Sequence, residues 1–545
     1  HIYSIGYMHG DPGYSRFFCY MSLFTFAMNV LVLANNGLQL FFGWEGVGVV
    51  SYLLIGFWFE RSAATTGGLK AFLVNRVGDL GFLMGLALCL NLFGSLDYSS
   101  WFAGVNQTVA TVSLPLLGEI SMFDILGLLL FIGAMGKSAQ IPLHVCVPES
   151  MEAPTPISAL IHAATMVTAG VYMISRLSPV FEMSLLTLNF ILIIGSTGAL
   201  FLGLIAIVQT DIKKVVAYST LSQLGYMIAA TGASAYSAAI FHLATHACFK
   251  ALLFLGAGSV IVAMHHEQNM LKMGGLKKYL PITYSCFLVG SISLAAIPPF
   301  SGFFSKDSII AAVQLSSLPS AGYASFCLVF GAFVTAFYSF RAVFITFFGR
   351  ENHQQKCHEP SASIWLPLLV LLVPSVILGW LLMNWLFADA TNIAMSLAKT
   401  PRTTLVLQHL QAEKPLEMIF NSLHHIVFWL SISGIALAWF VYIKKPYLAS
   451  FFARRFNFFY QILLNKYGFD AFNQWLFVDK VLILSDKLFE SIDRKIIDSG
   501  MVHGIANMVQ LISLKIRRTQ TGYLYDYTTA MAVGIFVLII ISVVI

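Results

Sequence analysis

Two lysines stand where a charge is costly. Lys137 lies in Gly136-Lys137-Ser138-Ala139-Gln140-Ile141-Pro142, and Lys306 in Pro298-Pro299-Phe300-Ser301-Gly302-Phe303-Phe304-Ser305-Lys306-Asp307. Both stretches interrupt long apolar runs with proline and small polar residues. Proline removes a helical donor and clashes with the preceding turn, so each run is expected to be a broken helix. Broken helices at membrane depth occur where backbone lines protein or a wet cavity. His242, His246 and Lys250 repeat at i, i+4, i+8 and form a polar stripe about 12 Å long on one helix. Histidine titrates near neutrality, so the stripe suits passing protons; the alternative is a stripe that only packs against polar neighbours. Zinc is disfavoured, because Leu243 stands where H-E-x-x-H places its glutamate. Arg76 and Asp79, at i, i+3, share a helix face. They read as a structural ion pair, with a tuning role as the alternative. Glu45, in Gly43-Trp44-Glu45-Gly46, is the carboxylate expected to partner Lys137.

The chemistry open to this set is proton transfer driven by electrostatics. Desolvation loosens a buried lysine's hold on its proton, and a nearby carboxylate restores it. Moving one charge against 100 mV costs about 2.3 kcal/mol, which lies within the scale of breaking and remaking a buried Glu–Lys pair. No P-loop, G-x-G-x-x-G or Ser-His-Asp signature accompanies these residues. Nucleotide and redox chemistry are therefore not read in this chain.

The elements that must position these side chains are apolar helices. Of 545 residues, 58% are hydrophobic and 10% charged, with 46 Phe. No soluble globule could hide that much apolar surface, and no disordered chain carries it. The fold class is all-α, a polytopic membrane protein. Runs of about 20 residues, long enough to span, occur near 17–34, 38–58, 68–95, 122–143, 157–177, 185–208, 214–232, 236–263, 282–311, 321–348, 364–385, 425–443 and 526–545. That makes about thirteen transmembrane helices. Glu45, Lys70, Arg76, Asp79, Asp124, Lys137, Lys250, Lys306, Asp307 and Arg341 fall inside them. Each would cost at least about 2.5–3.5 kcal/mol facing lipid at the bilayer centre. They must face the bundle interior, a partner subunit, water or a bilayer edge; Asp124 and Lys70 read as solvated near span ends. Two broken helices, each with a buried lysine, in successive blocks suggest a duplicated transporter core.

With His1 on the cytoplasmic side, one face collects Arg16, Arg61, Lys213, Lys214, Lys272, Lys277, Lys278, Arg350, Lys356, Lys444, Lys445, Arg454 and Arg455. The other receives Arg176, Lys399, Arg402 and Lys414, and the 96–121 loop has neither Lys nor Arg. This asymmetry follows the positive-inside rule. The segment 456–520 breaks the pattern of spans. Val481, Leu484, Leu488, Ile492 and Ile496 recur at helical spacing, with charges largely elsewhere on the wheel. It reads as an amphipathic helix over about 473–519, roughly 70 Å long, lying along the membrane surface, with Gly500 and Gly504 as points of interruption. Net charge is +6, too small and dispersed for nucleic acid. The seven cysteines form no C-x-x-C, and Cys357 with His353 and His358 is an incomplete metal set, read as a polar loop. The chain starts at His1 without Met, so the expectation is either that an N-terminal piece is missing or that residues were removed.

Several of these stretches carry a resemblance. Phe42-Gly43-Trp44-Glu45-Gly46-Val47-Gly48, Asn75-Arg76-Val77-Gly78-Asp79, Gly136-Lys137-Ser138-Ala139-Gln140, Ala153-Pro154-Thr155-Pro156, Leu160-Ile161-His162-Ala163-Ala164-Thr165-Met166-Val167, Ala217-Tyr218-Ser219-Thr220 and Phe300-Ser301-Gly302-Phe303-Phe304-Ser305-Lys306-Asp307 are similar to the subunit L or subunit 5 family of respiratory complex I, its largest antiporter-like subunit. The match runs from His1 to Ile545. The resemblance implies two inverted five-helix repeats over 17–180 and 181–350, after a cytoplasmic-side lead-in at 1–16. Further spans and loops would fill 351–455, a lateral helix 456–520, and a C-terminal anchoring helix 521–545. The family has sixteen spans, so the first three are expected to be lacking here.

The resemblance implies proton translocation coupled to NADH-to-quinone electron transfer elsewhere in the complex. In that role Glu45 would pair with Lys137, Lys137 would hold the pumped proton, and His162, His242, His246 and Lys250 would form a horizontal axis. Lys306 and Asp307 would end the axis, and Arg76 and Asp79 would tune Glu45. No cofactor is expected in this chain; NADH, FMN, iron–sulfur clusters and quinone would sit on partner subunits. The partners implied are other membrane-arm subunits, above all the antiporter-like neighbours along the lateral helix, with lipid and protons, in a bacterial cytoplasmic membrane. A subunit of a multisubunit sodium/proton antiporter is the runner-up, and a non-conducting scaffold is a third class. Cys146 and Pro148-Glu149-Ser150 depart from the family, which usually has Trp and Pro-Asp-Ala there.

Overall fold

Local signals set the ends of the helices. Asn36 caps Gly37–Ile55 by accepting from Gln39 N at 2.7 Å, and Ser184 caps Leu185–Val208 through Thr187 N. Asp211 caps Ile212–Gly232 through Lys213 N and Lys214 N. Each cap satisfies donors that a helix start leaves open. Gly94, at φ 66°, closes Ser62–Phe93 in the left-handed conformation that glycine adopts without a Cβ clash. The computed structural model describes residues 1–105, 111–114, 118–351, 357–388, 400–412 and 414–545. His353, Lys356 and Lys399 lie outside the described residues.

Among the described residues, 10 helices are long and apolar enough to cross a membrane. The remaining expected spans differ for physical reasons. Met122–Lys137 stops at the lysine. The 282–311 run divides into Pro281–Leu294 and Ser301–Gln314. Ile212–Gly232 carries Lys213, Lys214, Ser219, Thr220, Ser222 and Gln223, yet nearly every residue is buried. A helix that lipid never touches need not be apolar. One short element is not helical: Thr111–Leu114 pairs antiparallel with Gly118–Ser121 inside the expected 96–121 loop.

The two breaks share a geometry. After Met122–Lys137, Ala139 takes φ 47°, and Gln140 N donates to Met135 O at 3.0 Å. After Pro281–Leu294, Ala296 takes φ 56°, and Ile297 N donates to Ile292 O at 3.3 Å. Both are left-handed helix stops that satisfy a terminal carbonyl. A third break was not expected. The 157–177 run is interrupted between Thr155–Ala163 and Ala169–Arg176. There Thr165 Oγ1 donates back to Leu160 O and Thr168 Oγ1 to Ala164 O, diverting the backbone from a straight helix.

Leu185–Val208 and Ile212–Gly232 pack backbone to backbone. A Cβ on Gly195 would lie 2.4 Å from Ala229 N, and one on Gly225 2.4 Å from Ala199 N. Small residues permit this approach, which dispersion then rewards.

The chain forms two compact units, His1–Tyr467 and Gly468–Ile545. The first runs past 456 because Tyr467 OH donates to Phe201 O at 3.0 Å and Lys466 Nζ lies 2.8 Å from Glu149 Oε1. In the second, helical structure continues from Phe469 to Arg517 without a stop at Gly500 or Gly504. Over Phe489–Val502 the turns widen to the π type instead, and Ser499 Oγ bonds Arg494 O in that register. Glycine permits a helix break but does not force one. Leu524–Val544 follows as a final apolar helix.

Candidate functional site

Three helices build the first cluster. Gly37–Ile55 supplies Trp44, Glu45 and Gly48, Ser62–Phe93 supplies Arg76 and Asp79, and Met122–Lys137 ends on Lys137. The carboxylate that reaches Lys137 is Asp79. The Lys137 Nζ lies 3.5 Å from Asp79 Oδ1 and 3.5 Å from Oδ2. Trp44 Nε1 donates to Asp79 Oδ1 at 2.8 Å, and the ammonium stands 5.9 Å from the centroid of the indole.

Glu45 pairs with Arg76, and Arg76 Nη1 is 3.6 Å from Asp79 Oδ2. The expected Glu45–Lys137 pair is thus corrected to a chain, Glu45–Arg76–Asp79–Lys137. Helix geometry explains it. Trp44 and Gly48, at i, i+4, share the face toward Lys137, whereas Glu45 is rotated by about 100° and its side chain is 23% exposed. The Arg76–Asp79 pair stands as expected. Gly48 makes room for the ammonium, because a Cβ there would lie 2.7 Å from Lys137 Nζ.

A second set of buried polar contacts accompanies this cluster. Ser150 Oγ lies 2.9 Å from His162 Nε2. The break after Thr155–Ala163 leaves the Ala163 carbonyl to accept from His246 Nδ1 at 2.8 Å. On Tyr236–Ala263, the His242 and His246 ring centroids are 6.1 Å apart. His242 contacts Ser305 Oγ through Nδ1 at 2.8 Å and Gln223 Oε1 through Nε2 at 3.2 Å. Lys250 Nζ donates to Ser219 Oγ and, at 3.3 Å, to Val216 O. Lys306 Nζ donates to Leu294 O at 3.4 Å and sits 4.6 Å from the Tyr226 ring centroid. Lys137, His162, His242, His246, Lys250 and Lys306 are all 2% exposed or less. The sequence groups them by type; the fold brings them into one interior.

Asp307 does not contact Lys306. Its side chain turns outward, 3.7 Å from His425 Nδ1, across a crevice of about 10 Å³ lined by Ala296, Lys306, Ser422 and Phe428, room for about one water. Lys306 therefore meets a carbonyl and an aromatic face where Lys137 meets a carboxylate. Lys70 lies 3.8 Å from Glu149 Oε1, and Asp124 accepts from the Ser184 hydroxyl. Arg341 Nη1 donates to Gln209 O at 2.7 Å. Each of these three is tied down by a partner outside the Lys137 cluster.

Sequence reasoning missed Gly48, Ser150, Ser305 and His425. It also passed over Ser219, Gln223 and Tyr226, which sit at i, i+4, i+7 on one face of Ile212–Gly232 and serve Lys250, His242 and Lys306 in turn. That spacing was the available signal. Among the described residues, Ser138 Oγ, Gln140 Oε1, His162 Nδ1, Gln223 Nε2 and His246 Nε2 are buried without a protein hydrogen-bond partner.

With this geometry in hand, known proteins bear on it directly. A family model described as NADH:quinone oxidoreductase/Mrp antiporter, TM, matches residues 34–335. A second, described as NADH-Ubiquinone oxidoreductase (complex I), chain 5 N-terminus, matches residues 1–18. The chain is 49% identical to NADH-quinone oxidoreductase subunit L of Neisseria meningitidis serogroup B, over 99% of this chain and 84% of that one. It is 46% identical to the Rickettsia bellii subunit L, over 99% and 83%, and 40% identical to NADH-ubiquinone oxidoreductase chain 5 of Marchantia polymorpha, over 99% and 81%. Among solved structures, the Mrp complex from Dietzia sp. DQ12-45-1b is similar at 25% identity and a TM-score of 0.72, covering 94% of this chain and 53% of that chain.

Proposed function

The chain belongs to the family of NADH-quinone oxidoreductase subunit L and NADH-ubiquinone oxidoreductase chain 5, and on that premise we propose how it moves protons as a membrane subunit of that enzyme. Lys137 holds the transferred proton, and Asp79 sets how tightly. Arg76 competes with Lys137 for Asp79 from the rim, and Glu45 draws Arg76 away. His162, His246, His242 and Lys250 carry the proton toward Lys306, and Asp307 with His425 forms the outer end. The observation that carries this reading is the run of ionisable side chains, each 2% exposed or less, inside an apolar bundle. Charges of that kind are retained in membranes for function. Unpartnered polar atoms along the run are costly when dry, which favours bridging water.

NADH, FMN, iron–sulfur clusters and quinone belong to partner subunits in this reading; the present chain supplies no redox group. Residues 17–180 and 181–350 act as two inverted repeats, and 456–520 as a lateral tie to neighbouring antiporter-like subunits. The bacterial cytoplasmic membrane is the inferred location, supported by identities of 49% and 46% to the Neisseria meningitidis and Rickettsia bellii proteins. The test is Lys137→Ala in the assembled complex. Lost pumping and slowed NADH oxidation with the subunit retained support the reading; a normal proton-to-electron ratio rejects it.

The structural likeness to an Mrp complex favours one second reading, a subunit of a multisubunit sodium/proton antiporter. Sodium-dependent proton exchange without redox activity would select it. Co-purification with flavin and iron–sulfur subunits would select the first.

A further inference from the structure

We infer that Ser150 is a positioning residue that fixes which nitrogen of His162 takes up a proton. The Ser150 hydroxyl has a single hydrogen, and it is committed. Ser150 Oγ donates to the Val147 carbonyl oxygen at 2.6 Å, and a carbonyl can only accept. The same Oγ is therefore the acceptor toward His162 Nε2, 2.9 Å away. Nε2 carries the ring hydrogen, and in the neutral imidazole the lone pair belongs to Nδ1. Nδ1 is buried with no protein hydrogen-bond partner among the described residues. It is the basic atom of the ring, and it faces no competing donor.

The turn that carries Ser150 is held on several sides. Lys213 Nζ donates to Met151 O at 2.6 Å and to Ala153 O at 2.7 Å. Next to Ser150, Glu149 lies 2.8 Å from Lys466 Nζ and 3.8 Å from Lys70 Nζ. The Ser62–Phe93 helix passes so close that a Cβ on Gly67 would lie 2.7 Å from the Glu149 carbonyl oxygen. A hydroxyl mounted on such a turn is a fixed acceptor, as an orienting contact for a functional group must be.

This arrangement constrains the route of the proton. Uptake forms an Nδ1–H bond and an imidazolium. The proton cannot leave through Nε2, because Ser150 Oγ keeps its own hydrogen and that hydrogen points at a carbonyl. Release therefore breaks the same Nδ1–H bond. His162 is a one-sided station, loaded and emptied at Nδ1. His246 has the mirrored arrangement: its Nδ1 donates to Ala163 O, and Nε2 is the open nitrogen. Assigning the His162 proton to the pumping route rests on the function proposed above; the tautomer does not.

Infrared difference spectroscopy on membranes holding the complete complex, with ring-labelled histidine and a His162→Gln subtraction, tests this. The wild type is expected to show the Nε2–H ring band for His162. Ser150→Ala is expected to move that band toward Nδ1–H and to lower coupled turnover by about threefold or more. Alanine removes only the hydroxyl oxygen and keeps the backbone of the turn. Ser150→Thr keeps the hydroxyl and is expected to restore both readouts. An Nδ1–H band in the wild type overturns the inference. So does Ser150→Ala with an unchanged band; a moved band with unchanged turnover overturns the placing of His162 on the pumping route. If Lys137→Ala pumps normally while the band behaves as stated, the pumping function fails and the tautomer assignment stands.

Discussion

Asp79→Asn removes one negative charge and little else. The amide keeps an acceptor oxygen for Trp44 Nε1, now 2.8 Å from Oδ1, and its volume is nearly that of the carboxylate. What disappears is the attraction to the Lys137 ammonium 3.5 Å away. At an effective dielectric constant of about 20, unit charges at that distance interact by about 5 kcal/mol. Breaking a buried pair from one side costs about 3–5 kcal/mol. Glu45→Gln is the matched comparison, because Glu45 touches Arg76 and reaches Lys137 only at one remove. Both variants are assayed in membranes holding the assembled complex, for coupled NADH oxidation and proton-to-electron ratio. Asp79→Asn is expected to lower coupled turnover about tenfold or more, since each 1.4 kcal/mol is a factor of ten. Glu45→Gln is expected to lose less, and the double variant to do no worse than Asp79→Asn, as members of one network are not additive. Near-normal pumping in Asp79→Asn beside a collapse in Glu45→Gln would refute the assignment of Asp79 as the carboxylate that governs Lys137.

Two further outcomes follow from packing. Gly195→Ala and Gly225→Ala each place a methyl against backbone at 2.4 Å; overpacking of this kind costs about 1–3 kcal/mol, so both are expected to lower the thermal midpoint of the complex, and an unchanged midpoint counts against the close approach. Leu488→Asp with Ile492→Asp puts charge on the apolar stripe of the 469–517 helical stretch, where each apolar side chain buried against a neighbour contributes about 1.5–3 kcal/mol. Loss of this subunit on detergent extraction is expected, and retention would remove the lateral role.

Much of the architecture was legible in the residues. Apolar runs bounded by caps such as Asn36, Ser184 and Asp211 became helices within a few residues of the expected limits. Proline and small polar residues after Lys137 and before Lys306 marked the two breaks. The break at Thr165 was not legible, because a threonine bonding back to its own helix looks the same in sequence as one facing a neighbour. Ile212–Gly232 was legible as a helix, but its polar face became meaningful only once Ser219, Gln223 and Tyr226 stood opposite Lys250, His242 and Lys306.

By itself, the sequence determined the class, where most apolar helices lie and which side chains could not face lipid, since these depend on hydropathy and period, which are local quantities. Only the tertiary structure decided who partners whom. Asp79, on Ser62–Phe93, reaches Lys137, whereas Glu45, one residue round the Gly37–Ile55 axis from the inward-facing Trp44, meets Arg76 instead. Side-chain direction over that distance is set by how three helices pack, and no spacing within a single helix encodes it.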